Sequence, residues 1–101
     1  MLSRRRVVVT GLGIVSPVGN SVDVAWASIL AGKSGIEPIT RFDVSAFAVR
    51  FGGEVRNFDV THYLPAKDAR KMAPFIHYGI AAASQAINDS GLVIDEHNAD
   101  R

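Results

Sequence analysis

The 101 residues carry 11 lysines and arginines against 10 acids, a net charge of +1, with 48% apolar and 21% charged side chains. That balance fits a globular protein and excludes a disordered chain or one built around a large basic nucleic-acid surface. With no cysteine, disulfides, zinc–thiolate centres and a cysteine nucleophile are excluded within these residues.

The opening run Arg4-Arg5-Arg6 is basic, and its plain reading is a solvated stretch. The apolar run Val7-Val8-Val9 is too short for a signal peptide and far short of the roughly 20 residues that span a bilayer. Absence of an export signal makes the cytoplasm the expected compartment. Branching at Cβ favours extended chain, and a continuous apolar run reads as a strand covered on both faces. Residues 7–19 are therefore expected to form a buried strand opening into a turn shaped by Gly11, Gly13 and Gly19.

Asn20 or Ser21 can cap a helix, and Val22, Trp26, Ile29 and Leu30 make one apolar stripe ending at Gly32. Residues 36–44 hold Pro38 and little periodicity, which predicts a loop. Residues 48–55 read as a second strand, with Val49, Phe51 and Val55 on one face and a weak point at Gly52-Gly53. Residues 57–63 are connecting chain. Pro65 opens a short helical turn bearing Lys67, Asp68, Arg70 and Lys71. Pro74 cannot lie inside that helix and starts another, running to about Ser90 and capped by Gly91. Its apolar rows are Ile76, Ile80, Ala83, Ile87 and Phe75, Gly79, Ala82, Ala86; Ser84, Gln85, Asn88 and Asp89 make its polar side. A small sheet with open edges beside helix faces wider than it can cover predicts the beginning of a longer α/β chain. It also predicts that the 101 residues alone fold poorly or associate.

Gly11-Leu12-Gly13 resembles a dinucleotide fingerprint, but the third glycine position is Ser16, Pro17 follows it, and the helix starts too late to aim amides at a pyrophosphate. The stretch Ala27 to Ser34 imitates a phosphate loop, yet it falls at a helix end, where carbonyls face outward. His62, His77 and His97 share no ligand spacing and read as structural. No catalytic, cofactor-binding or metal-binding residue is assigned. Lys67, Arg70 and Lys71, at i, i+3 and i+4, share a helical face that can steer an acidic partner.

Several motifs occur together in order: the segment from Val7 through Ser16-Pro17-Val18-Gly19-Asn20, then Gly32-Lys33-Ser34-Gly35-Ile36, Arg41-Phe42-Asp43, Arg70-Lys71-Met72, His77-Tyr78-Gly79 and Ala86-Ile87-Asn88-Asp89-Ser90-Gly91-Leu92. Across nearly the whole chain this resembles the N-terminal part of the β-ketoacyl-acyl-carrier-protein synthases, nearest the type II enzyme of bacterial fatty-acid synthesis. Type I synthases and polyketide ketosynthases are the near relatives. The resemblance implies α/β architecture: the N-terminal part of a thiolase-like layered α-β-α-β-α fold, incomplete in this chain, with residues 1–101 a segment of the synthase N-terminal domain and no second domain present. It implies a homodimer catalysing a decarboxylating Claisen condensation of an acyl thioester with malonyl-carrier protein; no cofactor, nucleic acid or membrane partner is expected. The family's nucleophilic cysteine and two catalytic histidines lie in motifs beyond these residues, so this stretch is expected to be inactive by itself. The resemblance further implies that Lys67, Arg70 and Lys71 contact the acidic face of acyl carrier protein. Two other readings compete: a nucleotide-dependent α/β oxidoreductase, resting on Gly11-Leu12-Gly13, and a non-catalytic module that docks carrier protein.

Overall fold

Ser21 is extended, and its Oγ accepts the Val24 amide at 3.3 Å, satisfying one of the free donors of a helix start. The computed structural model, which describes residues 4–101, places helix α1 at Val22–Leu30. Residues 1–3 of the expected basic start lie outside the described residues. Gly32 ends α1 in the left-handed region (φ 70°), where the Lys33 amide reaches back to the Ser28 carbonyl at 2.9 Å. The phosphate-loop imitation therefore sits at a helix C-terminus, as its position in the sequence implies.

Strands β1, Ile36–Pro38, and β2, Phe51–Gly53, pair antiparallel with Ile36 opposite Gly53, Glu37 opposite Gly52 and Pro38 opposite Phe51. A 3-10 turn at Val60–His62 is capped by Asp59, and helix α2 occupies Ala66–Ala69. Helix α3 spans Pro74–Ser90, with proline in its first turn and Gly91 left-handed (φ 72°) at its end.

The expected buried strand does not form. Residues 7–19 hold only a bridge between Ser16 and Gly19, and Val7, Val8 and Val9 are 85%, 71% and 77% exposed. A strand exists through its ladder partners, and the only ladder among the described residues is the distant β1–β2 hairpin. Residues 11–14 instead lie along α3. The Leu12 amide donates to Asp89 Oδ2 at 3.0 Å, and the Ile14 amide to Gln85 Oε1 at 3.1 Å. Gly11 and Gly13 permit this approach: a Cβ on Gly11 would fall on the Ala86 carbonyl oxygen, and one on Gly13 on that of Ala82.

Three further expectations change. Residues 36–44, read as loop, contain β1; Pro38 is accommodated because it ends the strand, where its missing amide proton costs no ladder bond. The second strand is three residues long rather than eight, since its partner β1 is itself only three long. On α3, the polar side also binds the rest of the chain, through Gln85 and Asp89, beside Ala82 and Ala86 of an apolar row, whose small side chains let Gly13 and Gly11 approach the helix backbone. Ile76 and Ile87, from an apolar row, are 36% and 46% exposed. Extended chain without a sheet partner needs acceptors for its amides, and polar side chains supply them where alanines and isoleucines cannot.

The buried apolar residues among those described are Ala25, Ala69 and Ala81. The radius of gyration is 18.0 Å, against about 13 Å for a compact domain of this length. The molecule is a slab of 58 × 43 × 23 Å with broad uncovered apolar surface.

Candidate functional site

The basic turn is built from a short helix with little support of its own. Pro65 (φ −58°, ψ 140°) offers α2 no side-chain cap. Four helical residues fall far below the length at which a helix is stable alone, so tertiary contacts must hold α2 in place. Beyond Ala69 the chain tightens: the Lys71 amide donates to the Asp68 carbonyl and the Met72 amide to the Ala69 carbonyl, both at 3.1 Å and both i→i+3. The basic face expected of a continuous helix is therefore one helical turn followed by a 3-10-like one.

Lys67, Arg70 and Lys71 are all exposed. The ion pairs among the described residues are Arg56–Glu37 at 3.2 Å and His62–Asp59 at 3.4 Å, so none of the three joins one. Their side chains make no hydrogen bond within the described residues either. Asp68, also exposed, lies among them and reduces the local charge from three to two. Unpaired cations on a projecting turn attract an acidic surface at long range and lose that attraction as salt rises.

Two adjacent residues near the start of α3 hold neighbouring segments in place. His77 Nε2 lies 2.8 Å from the Ala69 carbonyl, the last residue of α2, whose own side chain is 5% exposed. A carbonyl only accepts, so the imidazole donates. Tyr78 Oη accepts Arg41 Nη2 at 2.9 Å, and the same guanidinium nitrogen donates to the Val55 carbonyl at 2.9 Å. Tyr78 also meets Phe58 edge to face, with ring centroids 5.2 Å apart, and Phe58 stacks on Tyr63. Gln85 Nε2 then donates to Tyr63 Oη at 3.0 Å and to the Asn20 carbonyl at 2.7 Å.

The Arg41-Phe42-Asp43 motif is explained by the same contacts. Glu54 accepts from the Thr40 hydroxyl at 2.8 Å and the Thr40 amide at 2.9 Å, with the Arg41 amide further off. Those bonds hold the Glu54 carboxyl below the usual glutamate range, the Thr40 hydroxyl contributing most. Asp43 is lowered by its bonds from Ser45. These are turn-fixing contacts.

Of the histidines, His77 ties α2 to α3, His62 pairs with Asp59 at the surface, and His97 is exposed. Asp59 is lowered first by the Thr61 hydroxyl and only lastly by His62. An open cleft of about 460 Å³ lies between the start of α1 and residues 56–63. Most of its polar groups are engaged: Ser21 caps α1, Asp59 holds Thr61, and Arg56 reaches Glu37 and the Gly35 carbonyl. Asn20 Nδ2 donates to the Arg56 carbonyl, which leaves the buried Asn20 Oδ1 without a hydrogen-bond partner among the described residues. An apolar hollow of about 230 Å³ separates residues 12–14 from Trp26 and Ile29. Neither is lined by the basic turn, and neither brings a nucleophile to a base. Gly11 and Gly13 pack on α3 while α1 starts only at Val22, so the glycine pair cradles a helix backbone, not a phosphate. The His77–Ala69 tie and the three bonds of Gln85 had no sequence signal, because nothing in spacing shows which polar residue of a helix turns inward.

Comparison with known proteins follows the same lines. The family described as "Beta-ketoacyl synthase, N-terminal domain" matches residues 4–101. The chain is 57% identical over 100 residues to the 3-oxoacyl-[acyl-carrier-protein] synthase 2 of Vibrio harveyi and 52% identical over 99 residues to that of a Synechocystis species. Those matches cover 99% and 98% of this chain but 24% of each relative, so the chain spans about a quarter of their length. Among solved structures, the ishigamide ketosynthase/chain length factor superposes with a TM-score of 0.77 at 39% identity, over 90% of this chain and 23% of the other. That likeness gives the fold: mixed α/β, the N-terminal portion of a thiolase-like ketosynthase.

Proposed function

The chain belongs to the β-ketoacyl synthase family through its N-terminal domain, and from that premise we propose that it is the opening segment of a type 2 3-oxoacyl-acyl-carrier-protein synthase. The observation that carries the reading is the 57% identity to a synthase 2 across 99% of the chain. The whole enzyme is an acyltransferase of fatty-acid elongation. It takes an acyl group onto a cysteine, and malonyl-carrier protein loses carbon dioxide. The resulting carbanion attacks the thioester, with a thiolate nucleophile and an amide-lined oxyanion hole as the working chemistry. With no cysteine in its sequence, this segment supplies scaffold to that reaction and no reacting group.

Its direct contribution is a dock. Lys67, Arg70 and Lys71, exposed and without ion-pair partners among the described residues, form part of the surface that meets the acidic acyl carrier protein. Homodimerisation and residence in the cytoplasm belong to the same reading. No helix of the described residues is long and apolar enough to cross a membrane.

Incubating the whole protein with an acyl-carrier protein and malonyl-carrier protein tests the assignment by mass spectrometry. The expected product is a 3-oxoacyl-carrier protein two carbons longer, with release of carbon dioxide, and none from the 101 residues alone. Binding of a nicotinamide cofactor without any condensation product would overturn it in favour of an oxidoreductase.

A further inference from the structure

Among the described residues, His77 is the one side chain of α3 bonded to the backbone of α2, and it reaches the carbonyl at the point where the basic turn leaves the helix. Arg70 follows Ala69 directly as the C-terminal cap, in helical geometry (φ −64°, ψ −17°). Lys71 comes next, inside the i→i+3 turn whose Met72 amide shares the same Ala69 carbonyl. The direction in which Arg70 and Lys71 leave the molecule is therefore set at one peptide unit. That unit is fixed by a buried methyl group and an imidazole at 2.8 Å. The four-residue helix has no N-terminal side-chain cap; apart from the His77 bond, it rests on the 3-10 turn at Val60–His62.

We infer that His77 is a positioning residue for carrier-protein recognition: its Nε2–H bond to the Ala69 carbonyl holds the Lys67–Arg70–Lys71 turn in the orientation an acidic partner meets. The inference rests on the docking role proposed for those three cations. His77 touches neither substrate nor carrier protein. It acts through the turn, so its loss changes encounter with the carrier and leaves the chemistry untouched.

The test uses the whole synthase and the same acyl group presented in two ways, on acyl carrier protein and on a short pantetheine thioester. His77→Ala is expected to raise KM for the carrier-borne substrate about threefold to tenfold, the effect of one hydrogen bond, with kcat unchanged. The pantetheine thioester should be turned over as by the parent enzyme. His77→Gln, which puts an amide donor at similar reach, should restore the carrier KM. Tyr78→Phe removes the adjacent Arg41 clasp and leaves the α2 tie, so its carrier KM should match the parent. An equal loss on both thioesters, an unchanged carrier KM in His77→Ala, or the same rise in Tyr78→Phe overturns the inference. The doubly reversed Lys67→Glu/Lys71→Glu enzyme separates the two levels. If it keeps parent kinetics on carrier protein, the docking role itself fails; if it is impaired while His77→Ala is not, only the positioning role fails.

Discussion

Gly13 illustrates how a single residue decides the local arrangement. Its amide plane passes so close to α3 that a Cβ would collide with the Ala82 carbonyl and lie 2.8 Å from Gln85 Cβ. Backbone cannot yield as a flexible side-chain tip would. Gly13→Ala is therefore expected to destabilise the whole protein by about 1–3 kcal/mol, the usual range for overpacking. A lowered midpoint in thermal or urea unfolding would register it, and an unchanged midpoint would mean the segment does not lie on α3. The glycines were visible in the sequence, but their partner was not. A glycine pair after a valine run is compatible with a phosphate cradle or a helix contact, and only the fold distinguishes them. At the same scale, the caps at Gly32 and Gly91 were legible, and that of α1 to within Asn20 or Ser21, because capping is chemistry within a few residues.

At the scale of elements, α3 was placed with its ends at Pro74 and Ser90 because a helix announces itself through local punctuation. Its orientation was legible only in part. Two apolar rows suggested the inward side; Ala82 and Ala86 of one row do lie against Gly13 and Gly11, and Gln85 and Asp89 of the polar side add the hydrogen bonds to residues 12–14. Hydrophobic periodicity reports which side is apolar, not how much of it is covered: Phe75, Ile76 and Ile87 stay exposed while Ile80, Ala82 and Ala86 are half-buried. Gln85 joins three segments at once, accepting from Ile14 and donating to Asn20 and Tyr63. Truncation to Gln85→Ala leaves part-buried donors and acceptors unmatched, at about 1–3 kcal/mol for each unsatisfied group. Unfolding of the whole protein should register at least one such loss, and a substitution within 0.5 kcal/mol of the parent would contradict the network. The hairpin was half legible: β2 was foreseen through Phe51, but β1 was obscured by Pro38, whose tolerance depends on standing last in its strand.

Across the whole molecule, the exposed valines, the alanine-only core and the 18.0 Å radius of gyration describe chain organised for contacts that these residues do not make among themselves. The valine run carries a strand's composition without a strand's partners, which is why its reading from sequence and its structure part company. Family membership accounts for this, since the chain spans about a quarter of its synthase 2 relatives. On the proposed function, residues 7–19 and α3 serve as scaffold and the basic turn after α2 is the dock. The claim at the centre of this account is tested most directly by the salt dependence of kcat/KM for an acyl-carrier protein, with Lys67 and Lys71 both reversed to glutamate in the whole enzyme. The account predicts a slower reaction at low salt and a flatter decline as salt rises; parent rates with the parent salt slope would contradict it.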